Sequence, residues 1–128
     1  MIVRRGNIAV GRRAEYEICR FLMRRGQAIL ERNYRMGHLE IDVITLDTSG
    51  IHFVEVKSLV GKSLFRPEDK VDSIKRKRLA FAANSYMRGL AEGISADTEA
   101  VFDIAAVRFD GGRMKIRYYQ NAYIPLYT

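Results

Sequence analysis

The run Phe53-Val54-Glu55-Val56-Lys57 sets a carboxylate and an ammonium two positions apart in an otherwise apolar segment. Shortly before it, Leu39-Glu40-Ile41-Asp42 carries two carboxylates at the same interval. Side chains of a strand alternate between faces, so Glu55 and Lys57 share one side, as do Glu40 and Asp42. Two adjacent strands would bring three carboxylates and one ammonium onto a single patch. Like charges held together and partly desolvated are expensive to keep. A divalent cation relieves that cost, which makes the patch a candidate metal site with a lysine beside it. Magnesium prefers carboxylate oxygens and retains several waters, and a metal-bound water becomes a nucleophile as its pKa falls. Lys57 is then placed to orient that water or to neutralise charge building on a phosphate.

Each part of this reading has a plainer rival. Asp42 lies between Ile41 and Val43, in a strand whose other face, Leu39, Ile41 and Val43, reads as core. Taken alone, Asp42 would pair with an arginine or end in solvent. Glu55 and Lys57 alone would make an ordinary ion pair between strands. Glu15 is the third candidate. It forms an i, i+4, i+7 line with Cys19 and Leu22 at the margin of an apolar helix face, from which it can look toward the sheet. A flanking surface charge is its alternative.

The elements that must position these groups follow from periodicity. Residues 8–25 read as a helix, with Ala14, Ile18, Phe21 and Leu22 at helical spacing and Gly26 as a stop. A short strand over 27–34 and a second over 38–46 come next. The turn Asp47-Thr48-Ser49-Gly50 leads into a third strand, 51–57, which pairs back as an antiparallel hairpin. Residues 58–69 read as a loop and 70–90 as a long helix. Strands over 101–109 and 114–119 flank Asp110-Gly111-Gly112, a second hairpin signal. The order α-β-β-β-α-β-β predicts one α/β domain over residues 1–128, a mixed five-stranded sheet flanked by helices.

Composition narrows the partner. The 128 residues are 48% apolar and carry a net charge of +7, from 22 Lys and Arg against 15 Asp and Glu, which favours an anionic partner. Lys75-Arg76-Lys77-Arg78 covers a helical turn, and Arg12, Arg13, Arg24, Arg25, Lys62 and Arg66 add to it. Such a surface contacts phosphates without reading sequence; a solvated face is the common alternative. Its coexistence with the acidic cluster favours nucleic acid. Phe65, next to Arg66, would stack on a base or fill the core.

Cys19 is the sole cysteine, so no internal disulfide forms and a reducing compartment is compatible. No apolar run reaches membrane-spanning length, and residues 1–10 lack the apolar core of a signal peptide; the cytoplasm is expected, with no membrane partner. His38 and His52 are the only histidines, which argues against a His/Cys zinc cluster and against Ser-His-Asp chemistry. Asp103, inside the apolar strand 101–107, is expected to be buried and paired with an arginine such as Arg32 or Arg35.

Together these motifs resemble the YraN-like family of small bacterial proteins, predicted nucleases with the restriction-endonuclease-like fold. The order of the acidic residues is also similar to that of archaeal Holliday-junction resolvases. The resemblance runs through Ala14-Glu15, Arg32-Asn33-Tyr34-Arg35, Leu39-Glu40-Ile41-Asp42, Phe53-Val54-Glu55-Val56-Lys57, Lys75 and Val101-Phe102-Asp103, from about Gly11 to Asn121. It implies that Asp42 and Glu55 bind Mg²⁺ or Mn²⁺, that the Val56 carbonyl often ligates as well, and that Glu15 completes the site directly or through water. It implies that Lys57 is catalytic and that the reaction is hydrolysis of DNA phosphodiester bonds. Branched or junction DNA is the expected substrate, and a homodimer would supply the two active sites that a junction needs. A non-catalytic nucleic-acid-binding module of the same fold is the alternative. Ala14 and Leu39 stand where the family has glycine, Val101 where it has arginine, and Ser58 where a basic residue often follows. None of these removes a ligand or the lysine.

Overall fold

Ala14, Ile18 and Leu22 recur at every fourth residue, which puts three fully buried side chains on one stripe of a helix. In the computed structural model, which describes residues 2–61, 73–90, 93 and 97–122 with side chains from Ala9 onward, that helix is α1 (Ile2–Arg24). It begins six residues before the expected start and stops where expected. Gly26 takes φ +86°, its N–H reaches the Met23 carbonyl at 3.0 Å, and the Gln27 N–H reaches Leu22 at 3.0 Å. This crossed pair of bonds closes a helix only when the residue after it tolerates a left-handed backbone.

The remaining elements are β1 (Ala28–Met36), β2 (Leu39–Asp47), β3 (Gly50–Val60), α2 (Ser73–Arg88), β4 (Ala100–Asp110) and β5 (Arg113–Tyr119). They form one five-stranded sheet in the order β1-β2-β3-β4-β5. Only β3 and β4 run parallel, and α2 lies in the connection between them, as a parallel crossover requires. The expected element order and both hairpins are therefore present. β3 runs on to Val60, into the segment read as loop; the rest of that loop and the helix start at 70–72 lie outside the described residues. Among the described helices none is long and apolar enough to cross a membrane.

Each face of the sheet carries one helix. Ile51, Phe53, Phe102 and Ile104 pack with Leu79, Ala82 and Ala83 of α2. Val43, Val54, Ala105 and Val107 pack with Ala14, Ile18 and Leu22 of α1. Each large side chain buried this way contributes about 1.5–3 kcal/mol. One expectation fails here. Leu39, Ile41 and Val43 do not share a face, because Ile41 and Ile44 join the α2 side while Val43 joins the α1 side. Two consecutive residues, Asp42 and Val43, thus intervene where strict alternation allows one, while the β1–β2 register stays unbroken from Glu31↔Ile44 to Met36↔Leu39 and shifts between Ile29 and Glu31.

That irregularity coincides with a split in the sheet. Pairing of β2 with β3 ends at Val43↔Val54. Beyond it β2 stays paired with β1 to Leu39↔Met36, and β3 stays paired with β4 to Val60↔Phe109. The two halves part like a fork, with Asp42 at the crotch.

The closed end of the same hairpin is tied by a buried ionic network. His52 and Asp103 are fully buried, with His52 Nδ1 2.5 Å from Asp103 Oδ2 and Nε2 2.8 Å from Asp47 Oδ1. Tyr118 donates its hydroxyl proton to Asp103, and the Asn121 N–H donates to Asp103 Oδ1 at 2.8 Å. Asp103 is buried and partnered as expected, but by histidine and tyrosine instead of arginine; Arg35 reaches Glu40 at 3.5 Å. Burial alone would lower the His52 pKa, yet the bonds to Asp103 and Asp47 outweigh it and raise it. Ser49 Oγ stands 3.0 Å from His52 Nε2, in the order of a hydrolase triad. It donates instead to Asp47, and carboxylates against both ring nitrogens favour the protonated imidazole, which is a poor base.

Gly50 starts β3 at φ +137°, and a Cβ there would run into the Glu99 carbonyl oxygen, which accepts the Ile51 N–H at 2.8 Å. Gly50→Ala is therefore expected to lower the unfolding free energy by about 2 kcal/mol or more. Urea titration reads this directly, and an unchanged midpoint would contradict it.

Candidate active site

The fork explains how residues from opposite faces of a sheet meet. Asp42 has no partner on β3; its Oδ2 accepts the Val56 N–H at 2.8 Å and replaces the missing ladder bond. A strand residue turns its N–H and C=O toward the same neighbour, so the Val56 carbonyl also looks into the gap. Glu55 and Lys57 follow Ile51 and Phe53 onto the α2 face, with Lys57 Nζ 3.5 Å from Glu55 Oε1. Lys75 of α2 donates to that same oxygen. Glu15 arrives from α1, on the other side, hydrogen-bonded to the Asn33 side chain. Asn33 is one of two non-glycine residues with positive φ among the described residues, at +54°, and lies opposite Asp42 across the β1–β2 ladder. Asparagine tolerates that conformation better than most residues.

The charges oppose one another across the gap. Burial, and then the charge of Glu55, push the Asp42 carboxyl up to about 7 against the pull of the Val56 N–H; Glu15 and Glu40 add to the rise. Burial also raises Glu15, with Glu40 and Glu55 contributing and Asn33 and Arg32 opposing. Burial works against the Lys75 ammonium, but Glu55 and Asp42 reverse that and raise its pKa. Negative charge is thus concentrated beyond what the two lysines offset at Asp42.

A stability prediction follows. A carboxyl that titrates near 7 folded and at about 4 unfolded weakens the fold progressively as pH rises between those values. Asn at position 42 keeps an oxygen for the Val56 N–H and carries no charge. Without divalent cation at pH 8, Asp42→Asn is expected to be more stable than the parent by on the order of 1–3 kcal/mol. Thermal unfolding in EDTA at pH 4 and pH 8 tests this: the advantage should close at the lower pH. A variant equally or less stable at pH 8 removes the argument.

Among the described residues no three His, Cys, Asp or Glu side chains stand together as a ready-made cage. Magnesium and manganese do not need one. Mg²⁺ typically takes one or two carboxylates, keeps its waters and accepts a phosphate oxygen from substrate. Hard oxygen donors, a half-buried carboxylate raised by desolvation and by its neighbours, and a carbonyl facing the gap fit such an ion. Asp42 and Glu55 would hold it, with Val56 and Glu15 beside them.

The basic residues named from sequence divide. Arg12 is exposed one turn before Glu15 on α1, and Arg13 lies with its guanidinium 4.9 Å over the Phe109 ring. Arg78 is exposed and Arg76 half-buried on α2. Lys75, placed by sequence on the phosphate-contacting helix, belongs to the carboxylate cluster itself. Lys62 and Arg66 lie outside the described residues, as does Phe65. Sequence reasoning missed Asn33; the signal was available, since asparagine in an otherwise polar-apolar strand marks a left-handed position.

Residues 14–110 match UPF0102, an uncharacterised protein family. A UPF0102 protein of Chlorobium phaeobacteroides is 33% identical over 121 residues, covering 90% of this chain and 94% of its own. One from Desulforamulus reducens is 32% identical over 117 residues, covering 89% of this chain and 94% of its own. One from Oleidesulfovibrio alaskensis is 38% identical over 101 residues and 79% of this chain, which spans about half, 48%, of that longer relative. The matched stretch contains every residue of the fork, from Glu15 to Lys75. This chain belongs to UPF0102, the YraN-like family of predicted endonuclease-like proteins.

Proposed function

We propose that this protein is a metal-dependent nuclease that hydrolyses phosphodiester bonds in DNA. One observation carries the reading: a half-buried aspartate in the gap between β2 and β3, its ionisation opposed by desolvation, Glu55 and Glu15, with two lysines against Glu55. Mg²⁺ or Mn²⁺, when bound, supplies positive charge at the phosphate and a water of lowered pKa. Asp42 is pinned by the Val56 N–H and cannot swing away, which pre-orients its free oxygen. Lys57, half-exposed beside Glu55, would donate hydrogen bonds to the attacking water or to the phosphate as charge develops. Lys75 donates to Glu55 Oε1 and so restrains that carboxylate. The exposed Arg12 and Arg78 would meet flanking phosphates.

Basic side chains that contact phosphates without reading bases suit recognition of DNA shape, including branches, better than reading of a long sequence. The rival is a DNA-binding module without catalysis. It draws support from Lys75, which occupies a Glu55 oxygen that a cation would otherwise use. Incubating linear, flapped and four-way-junction DNA with protein in Mg²⁺, Mn²⁺ or EDTA separates the two. Cutting that needs the cation supports the enzyme; tight binding with no cutting of any substrate supports the module.

A further inference from the structure

A cavity of about 440 Å³ opens where α2 passes the start of β2, and it shares Lys75 and Glu40 with the surroundings of the fork. Its apolar wall is made by Leu39, Ile74 and Leu79, and its rim carries His38 and Arg78. Ile74 is 62% exposed, and neither of the two core clusters includes it. An isoleucine left in water at the edge of a cavity, between two cations and an imidazole, calls for a ligand with a flat apolar face and an anionic backbone. The volume lies in the range of small-ligand sites.

We propose that this cavity is a subsite for one unpaired nucleotide of the DNA strand next to the cleaved phosphate. The inference rests on the nuclease reading and narrows its substrate class. The base would lie against Ile74 and Leu39, with the exposed His38 imidazole available to stack on it, a role aromatic and histidine side chains serve for splayed bases. The exposed Arg78 would take a flanking phosphate, which is the charge complementarity that selects a nucleic-acid strand over an apolar peptide. The Glu40 carboxylate, exposed at the rim, would accept from an amino group on the base edge. A base inside a duplex is stacked on both sides and paired along its edge, so it cannot enter. Only DNA with single-stranded nucleotides beside the cut, such as a flap or a frayed branch, fills the site.

The test is binding in EDTA, where hydrolysis plays no part. A DNA duplex bearing a short single-stranded flap, with 2-aminopurine as the first unpaired base, is compared with a fully paired duplex carrying the same label. The wild-type protein is expected to change the fluorescence of the flap label and to bind flapped DNA about tenfold tighter than duplex, the scale of one base stacked on a side chain. Ile74→Asn with His38→Ala, both at exposed positions and neither removing a lysine or arginine, should abolish the preference and the fluorescence change while leaving duplex affinity within about twofold. Equal affinity of the wild type for both DNAs, no detectable binding of either, or a preference untouched by the double variant would each overturn the subsite. Because no cation is present, absence of cleavage elsewhere sinks the nuclease reading without altering this result. Intact cleavage with no flap preference sinks only the subsite.

Discussion

Lys57→Ala is expected to slow metal-dependent DNA cleavage by roughly 10²–10⁴-fold, the usual range for losing a group that donates to developing charge or orients a nucleophile. The loss should appear in kcat, with DNA affinity falling less than about tenfold, since a single phosphate contact is a small part of a polyelectrolyte interaction. The physical reason is position. Lys57 shares the α2 face with Glu55, 3.5 Å from its Oε1, at the mouth of the gap. Lys75 cannot substitute, because its ammonium is bonded to Glu55 and anchored on a helix. Asp42→Ala should lose at least as much activity and also abolish any rise in Tm produced by Mg²⁺ or Mn²⁺, which binding to the native state alone confers. Cleavage that survives both substitutions would mean that another protein in the preparation does the cutting. A Tm that rises equally with cation in wild type and Asp42→Ala would place the ion elsewhere.

Asp103→Ala should be the most destabilising of the substitutions considered. It strips the buried His52 Nδ1 of its carboxylate partner and removes the acceptor for Tyr118 and the Asn121 N–H. Breaking one side of a buried ion pair costs about 3–5 kcal/mol, which for a chain of this size lowers Tm by about 10–20 °C. The network also sets a pH window. His52 has a raised pKa when folded, so its contribution is complete below about 6.5, its value unfolded, and is lost as pH rises through the folded value. Burial pushes Asp47 up, but Ser49 and His52 overcome it and hold it at about 2, so its contribution is present above about 4 and lost as pH falls toward 2. Asp42 works in the same direction as His52, since its folded carboxyl titrates near 7. The wild type without cation is therefore expected to be most stable near pH 4–5, to lose stability as pH rises through about 7, and to be weaker at pH 8. His52→Gln should be less stable at pH 5 and should flatten part of the alkaline decline. A stability maximum at pH 8 would contradict the upward shift of the His52 pKa.

Much of this protein is written in local pattern. Helical spacing of Ala14, Ile18 and Leu22, the turn at Asp47 to Gly50 and the Asp110-Gly111-Gly112 hairpin specify α1, β2–β3 and β4–β5, because each depends on neighbours a few residues apart. The ionisable residues inside apolar strands also stand out by sequence alone, since such groups are costly unless they serve a purpose. Partners distant along the chain were not legible. Asp103 found His52, 51 positions away, and not an arginine; Lys75 left the phosphate-contacting surface to hold Glu55, 20 positions away. Neither pairing has a local signature, because which strands become neighbours is settled by burial of the whole sheet between two helices.

The fork belongs wholly to the tertiary structure. Period-two alternation predicts which side chains share a face only while pairing is regular, and β2 breaks that rule at Asp42 and Val43. The sequence supplied the charges and the strands that carry them. Where β2 and β3 separate, and so whether Glu15 from one face can feel Glu55 from the other, was decided by the packing of α1 and α2 on opposite sides of a sheet whose halves part.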